Sequence, residues 1–156
     1  MDYEKIAKEL TEKFNKSISA QWLELTQALA EKELSTIDHL KPAIVAQWIL
    51  ECGRGSTRLF QNHWNPAGMK WRSEMEGYAT KIYYETDSEP TGGADFCKFA
   101  NAKAAVEGYF KFLSRAPYAG WRDHTSTLKD WLGFLGKTWC PPGYTDQWIE
   151  EHGGLK

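Results

Sequence analysis

The chain has no apolar run approaching the length of a membrane span, so membrane insertion is not expected. It has no Lys/Arg run either, and its formal net charge is −2. A nucleic-acid binder needs a basic footprint, and so does a protein drawn to an anionic cell surface. Cysteine is scarce. Cys52, Cys97 and Cys140 cannot all pair within one chain, and they are not at zinc spacing. Reduced thiols are the default, with a Cys97–Cys140 disulfide as the alternative. No partner spacing turns His39 or His63 into a metal ligand, so both are read as structural, and neither a metal nor a cofactor is expected. The opening Met1-Asp2-Tyr3-Glu4-Lys5 lacks a basic segment leading into an apolar one. A secretory signal is therefore not expected, and the chain is expected to be made in the cytoplasm. No internal repeat or low-complexity linker divides it.

What is present is a length of 156 residues, enough for one domain with a real core, and an aromatic content of 14% that includes eight Trp. Apolar periodicity predicts helices over residues 2–14 (Ile6, Leu10, Phe14) and 19–33 (Trp22, Leu25, Leu29). A third is predicted over 42–52, with Pro42 in its first turn, and a short one over 57–62. Residues 63–95 change character. Gly, Pro and polar residues recur, and Tyr78 to Glu85 is aromatic and β-branched, which predicts an irregular lobe with a small hairpin and a turn at Thr91-Gly92-Gly93. Asn101 is placed to cap a helix to about Ser114, carrying Val106, Tyr109, Phe110 and Leu113. Thr125 or Ser126 is placed to cap another to about Leu135, and a short final helix follows Pro141-Pro142-Gly143. The sum is a mainly α chain, helical with one small β-hairpin lobe. A single domain over 1–156 is expected, residues 1–40 supplying N-terminal helices that pack on the core.

The most informative stretch runs from Ala43 to Ser56. Ile44, Val45, Trp48, Ile49 and Cys52 follow helical spacing, and Glu51 is the one acid among them before the chain breaks at Gly53 and Gly55. Glycines there permit a sharp turn and close approach to a ligand. A carboxyl at the rim of an apolar helix is poorly solvated, which favours its neutral form, and a neutral carboxyl is what a general acid needs. The ordinary alternative is a solvated acid at a frayed helix end.

The order of these pieces resembles the glucosaminidase family of peptidoglycan hydrolases, glycoside hydrolase family 73. Ala46-Gln47-Trp48-Ile49-Leu50-Glu51-Cys52-Gly53-Arg54-Gly55-Ser56 is similar to the family's AQ-x-x-LES-G-x-G-x-S. Asn65-Pro66-Ala67-Gly68-Met69-Lys70 resembles its N-x-F-G-I-K turn, and Tyr83-Tyr84-Glu85 its aromatic strand ending in an acid. Phe96-Cys97-Lys98-Phe99, followed by a helix, resembles its F-R-x-Y-x-S. Thr138-Trp139-Cys140-Pro141-Pro142-Gly143-Tyr144 stands in the place of its Y-A-T-D-P-x-Y. The chain departs from the pattern at Cys52 (for Ser), Arg54 (for an aromatic), Pro66 (for Phe), Tyr83 (for Thr) and Trp139 (for Tyr). Trp offers an N–H donor and no phenolic hydroxyl.

The resemblance implies a lysozyme-like, mainly helical fold. It also implies an endo-β-N-acetylglucosaminidase that cuts the β-1,4 bond on the reducing side of N-acetylglucosamine in peptidoglycan strands. Glu51 matches the catalytic glutamate, and Glu85 is the expected second group, with the substrate's own N-acetyl group as its alternative. Trp64, Trp71, Tyr78, Tyr118 and Trp121 are candidates for stacking on sugar rings, with core packing the competing reading for each. Asn65, Lys70, Trp139 and Tyr144 are assigned to the cleft by resemblance. Trp22, Trp48, Trp131 and Trp148, at helical spacing, are assigned to the core. Within the same class a muramidase, a lytic transglycosylase or a chitinase stays open, and outside it an inactive glycan-binding module. A monomer is expected. With no signal peptide read, action in the periplasm or wall calls for a phage-type release through a holin, a virion, or a delivery machine with its immunity protein.

Overall fold

The computed structural model describes residues 20–53, 55–86 and 89–139. The helix expected over 2–14, Arg54, Cys140 with its alternative disulfide, Tyr144, Trp148 and the final helix lie outside them. Helix α1 (Ala20–Glu31) buries Trp22, Leu25 and Leu29, as its periodicity predicts. A 3-10 turn (Ser35–Leu40) leads into α2 (Lys41–Cys52), with Pro42 in the first turn. A short helix α3 (Arg58–His63) follows, then the hairpin strands β1 (Thr80–Glu85) and β2 (Gly93–Lys98), then α4 (Ala102–Leu113) and α5 (Leu128–Trp139). The fold is thus mainly helical with one antiparallel two-stranded sheet, as expected.

Helix α2 is the axis of the core. Every residue from Lys41 to Ile49 is buried, on all faces and not only along the predicted stripe. A helix apolar all round can exist only when wrapped by others. Here α1, α4 and α5 do the wrapping: α1 packs against α4, and α2 touches both α1 and α5. Two polar side chains caught in this burial find partners, although Gln47 Nε2 and Trp48 Nε1 have no hydrogen-bond partner among the described residues. Lys41 donates to the Ala30 carbonyl at 2.9 Å and pairs with Asp38 at 2.6 Å. Gln47 accepts the Tyr109 hydroxyl at 2.5 Å. Trp48 meets Tyr109 edge-on with centroids 5.3 Å apart, and Trp22 meets Phe60 at 6.3 Å. Trp22, Trp48 and Trp131 are fully buried, as assigned.

Local chemistry sets the ends of these elements. Thr57 accepts from the Phe60 N–H at the start of α3, and Asn101 from the Ala104 N–H at the start of α4. The apolar stripe of α4 is Ala105, Val106, Tyr109, Phe112 and Leu113. Phe110, expected on that stripe, is only half-buried, and Lys32 lies 5.6 Å from its ring centroid. Helix α5 corrects the expected cap. Thr127 Oγ1, and not Thr125 or Ser126, accepts from the Asp130 N–H at 3.0 Å. Thr125 instead closes a 3-10 turn (Trp121–His124) by donating to the Arg122 carbonyl. The helix also runs four residues past Leu135, to Trp139, which brings Trp139 over the Asn65–Lys70 turn.

In the hairpin, Glu85 faces Gly93, Tyr84 faces Ala94 and Thr80 faces Lys98. Strand β2 therefore extends past the expected end of the lobe at 95 and includes Phe96, Cys97 and Lys98. Gly93 opens the strand, so the predicted turn is shorter than Thr91-Gly92-Gly93. The lobe is tied to the helices by buried Met69, Met75 and Cys97.

Candidate active site

Glu51 sits in the last turn of α2, where the buried helix emerges. Leu50 is 41% exposed, Glu51 is partly exposed and Cys52 is buried again. The helix end is not frayed. Gly53 takes the left-handed conformation (φ 54°, ψ 44°) and returns its N–H to the Ile49 carbonyl at 3.0 Å. The positive φ strains any side chain at Gly53, and its Cβ would also stand 2.5 Å from Ser56 Oγ, which would have to turn away. Gly55 and Ser56 then give their N–H groups to the Cys52 carbonyl, at 3.1 and 2.9 Å. The chain folds back tightly beneath Glu51, as its two glycines predict.

Two phenols lie within the electrostatic reach of Glu51. Burial pushes the Tyr118 hydroxyl up to about 12; Arg115 opposes this, Glu51 adds to it and Arg72 opposes it. Burial first, then Tyr118 and Glu51, hold Tyr109 well above the ordinary phenol range. Both hydroxyls are therefore proton donors at any working pH. Tyr109 gives its proton to Gln47, one helical turn before Glu51, and so braces the carboxylate's own helix.

The Asn65–Lys70 turn is built around Asn65, which is buried. Its Nδ2 donates to the Met69 and Cys97 carbonyls at 2.9 Å each, and its Oδ1 accepts from the Ala67 and Met69 N–H groups at 3.3 and 3.0 Å. This corrects the sequence expectation. The amide is used up in joining the turn to β2 and has nothing left for a substrate. Trp139 is half-buried and also held by the scaffold, though it lines a cavity. Its Nε1 donates to the Ala67 carbonyl at 2.8 Å, and its ring lies against Tyr109, Phe112 and Tyr118 with centroids 5.2 to 5.7 Å away. It fastens the end of α5 to the turn. Trp121 is a further correction: it is buried edge-on against Trp131, with the Arg122 guanidinium over its ring, and is a packing residue.

Among the other candidates Tyr118 is buried against Phe112 and Trp139, and the rest are more open. Tyr118, Lys70, Trp139 and Thr138 line a cavity of about 240 Å³ together with Arg72 and Arg115. Lys70 also pairs with Glu89. Trp64 is half-buried, with φ at 56°, and meets Phe60 edge-on at 5.7 Å. Trp71 is half-buried under Lys81. Tyr78 is 45% exposed, with Lys111 over its ring, and lines a separate hollow beside Thr80 and Lys98. Glu85 is exposed at the end of β1. Another hollow, of about 340 Å³ between α1 and α4, contains none of the candidate residues. Sequence reasoning missed Gln47, Tyr109, Arg72 and Arg115. Gln47 was findable, since it stands four residues before Glu51 and hence on the same helix face. Nothing local marks Arg115.

The model of the glucosaminidase family, described as mannosyl-glycoprotein endo-beta-N-acetylglucosaminidase, matches residues 27–150. Curated protein sequences yield no match. Among solved structures, the catalytic domain of the autolysin Auto from Listeria monocytogenes is similar. The TM-score is 0.53 at 18% identity, over 95% of this chain and 90% of that one. At that identity the likeness is one of fold, and the fold is the lysozyme-like arrangement of helices with a small hairpin. The family match covers most of the chain, and with it the chain belongs to the glucosaminidase family of glycoside hydrolases.

Proposed function

We propose that the protein hydrolyses the β-1,4 bond on the reducing side of N-acetylglucosamine in bacterial peptidoglycan, with Glu51 as its general acid. The observation that carries the reading is the position of Glu51, the acid at the emergent end of an otherwise buried helix. It lies in the last turn of that helix, at the negative end of the helix dipole. In the reaction Glu51 gives its proton to the glycosidic oxygen as the bond to C1 of N-acetylglucosamine breaks, and the muramyl O4 leaves as an alcohol. Water completes the new hydroxyl at C1 and returns a proton to the site. Glu85 is the second carboxylate, stabilising the cationic C1 or activating that water.

A zymogram with peptidoglycan in the gel, wild type beside Glu51→Gln, tests the activity. The products test the bond. New reducing ends on N-acetylglucosamine support this reading. Reducing ends on the muramyl sugar, a 1,6-anhydro product, or cleavage of chitin alone would replace it with a muramidase, a transglycosylase or a chitinase.

A further inference from the structure

The cavity of about 240 Å³ is lined by three cations, Lys70, Arg72 and Arg115, together with Tyr118. Glu51 acts on that ring's hydroxyl as well. Two of the cations already have acidic company. Lys70 pairs with Glu89, and Arg115 Nε lies 3.9 Å from an oxygen of the exposed Glu74. That second distance is too long for a hydrogen bond. Arg115 Nε is a buried donor without a hydrogen-bond partner, on a side chain only 8% exposed. Its guanidinium is held over the Phe112 ring at 4.5 Å, so it is preorganised rather than free to swing out to water. Arg115 lines the cavity, and a guanidinium fixed at its wall is ready to meet a ligand oxygen. Arg72 is exposed and donates one N–H to the Trp71 carbonyl. The field of Arg115 and Arg72 reaches the Tyr118 hydroxyl and the Cys97 thiol, lowering both against the effect of burial. The cavity is therefore shaped and charged for an anion, and planar, forked guanidinium groups suit a carboxylate.

We propose that Arg115 and Arg72, assisted by Lys70, receive a carboxylate carried on the muramyl side of the glycan. The source is either the lactyl carboxylate of a stem-free strand or a carboxylate of the attached peptide. The inference rests on the peptidoglycan reading above and adds a reason for it. Chitin has no such group to offer the three cations.

Binding measured by calorimetry on Glu51→Gln protein separates the two ideas. The probes are a stem-free GlcNAc–MurNAc tetrasaccharide, its lactyl carboxamide, the stem-bearing tetrasaccharide and its amidated counterpart. At least one charged probe should bind about tenfold tighter than its neutral twin. Preference within the first pair identifies the lactyl group as the source, and preference confined to the second identifies the stem. Adding Arg72→Gln, a surface change that does not threaten the fold, or Arg115→Met, which keeps the stem over Phe112, should shrink the preference to about twofold or less. Equal affinity for charged and neutral probes overturns the carboxylate site and leaves the glucosaminidase reading standing. Binding of none of them overturns both.

Discussion

The helix Lys41–Cys52 and the hairpin Thr80–Lys98 each bring one candidate carboxylate to an end, but they hold it differently. Glu51 extends from a helix buried on every side through Ile49, with its C-terminus locked by Gly53. Glu85 closes a strand of a two-stranded sheet, on an exposed position opposite Gly93. A carboxyl on a packed helix can be poised before substrate arrives, because its position is over-determined by the core. A carboxyl on an exposed strand end is solvated and must be recruited. That contrast suits the proposed general acid on the helix and the proposed second, less demanding role on the hairpin.

The sharpest way to break this comparison is Glu51→Gln. Gln keeps the shape and has no proton to give, so cleavage should fall by roughly two to four orders of magnitude while the melting temperature stays close to wild type. Turnover assays on purified peptidoglycan beside a thermal melt check both halves. Activity within about tenfold of wild type removes Glu51 from the mechanism.

Glu85→Gln comes next. Acting as base or cation stabiliser, Glu85 should contribute roughly a hundredfold. A loss of only about threefold, joined to inactivity on a substrate lacking the N-acetyl carbonyl, would transfer the role to the substrate's acetamido group. The hairpin would then be a wall of the cleft rather than part of its chemistry.

The two regions were unequally legible in the sequence. Helix α2 announced itself through its apolar spacing, Pro42 and Gly53. Its complete burial did not show, because a run such as Lys41-Pro42-Ala43 reads as a surface start until other helices cover it. Strand β1 was readable from Ile82, Tyr83 and Tyr84. Strand β2 was not fully so: Gly93-Ala94-Asp95 looks like turn, and only pairing with β1 makes it strand. At α5 Thr125 or Ser126 was the expected cap, but the preceding 3-10 turn uses Thr125 and the cap falls on Thr127, outside that expectation. In the site, Glu51 was legible because an acid in an apolar stripe is anomalous. Asn65 was placed in the cleft by motif position, yet its long-range hydrogen bond to Cys97 fixes it as scaffold, whereas Trp139, tied to Ala67, stays on a cavity wall. Arg115 carries no local signal, since its importance comes from a cavity formed by segments far apart in sequence.

A smaller effect tests how firmly the hairpin is joined to the helices. Gly108 of α4 faces the Phe99 ring just beyond β2, and a Cβ there would overlap that ring. Phe99 is buried and its N–H is held by the His63 carbonyl at 2.9 Å, so it has little freedom to yield. Gly108→Ala should lose about 1–3 kcal/mol to overpacking against about 1 kcal/mol of helix propensity gained, for a net fall in stability. Denaturant titration reads the sign. Phe99→Leu in the same background should recover part of the loss, and failure to do so would show that the close approach is not the cause.

The smallest expected effect distinguishes the two regions by pH. His63 packs edge-on against Tyr84 of β1, with ring centroids 5.5 Å apart, and its Nδ1 is buried without a hydrogen-bond partner. Burial, and then the nearby Lys98 charge from β2, hold His63 below its usual value near 6.5. Between that value and its lower one in the folded protein, the unfolded chain binds a proton that the folded chain refuses. The stability contributed by neutral His63 is therefore full above pH 6.5 and is lost as pH falls below it. Once protonated, the ring repels Lys98 and loses its apolar seat against Tyr84, so the hairpin should loosen before the core does. Amide exchange followed from pH 7.5 to about 5 should show β1 and β2 losing protection while α2 keeps it. His63→Phe should flatten the response of the strands. Equal loss of protection in the hairpin and in α2 would mean that acid acts on the whole fold, and that the hairpin has no independent stability to tune.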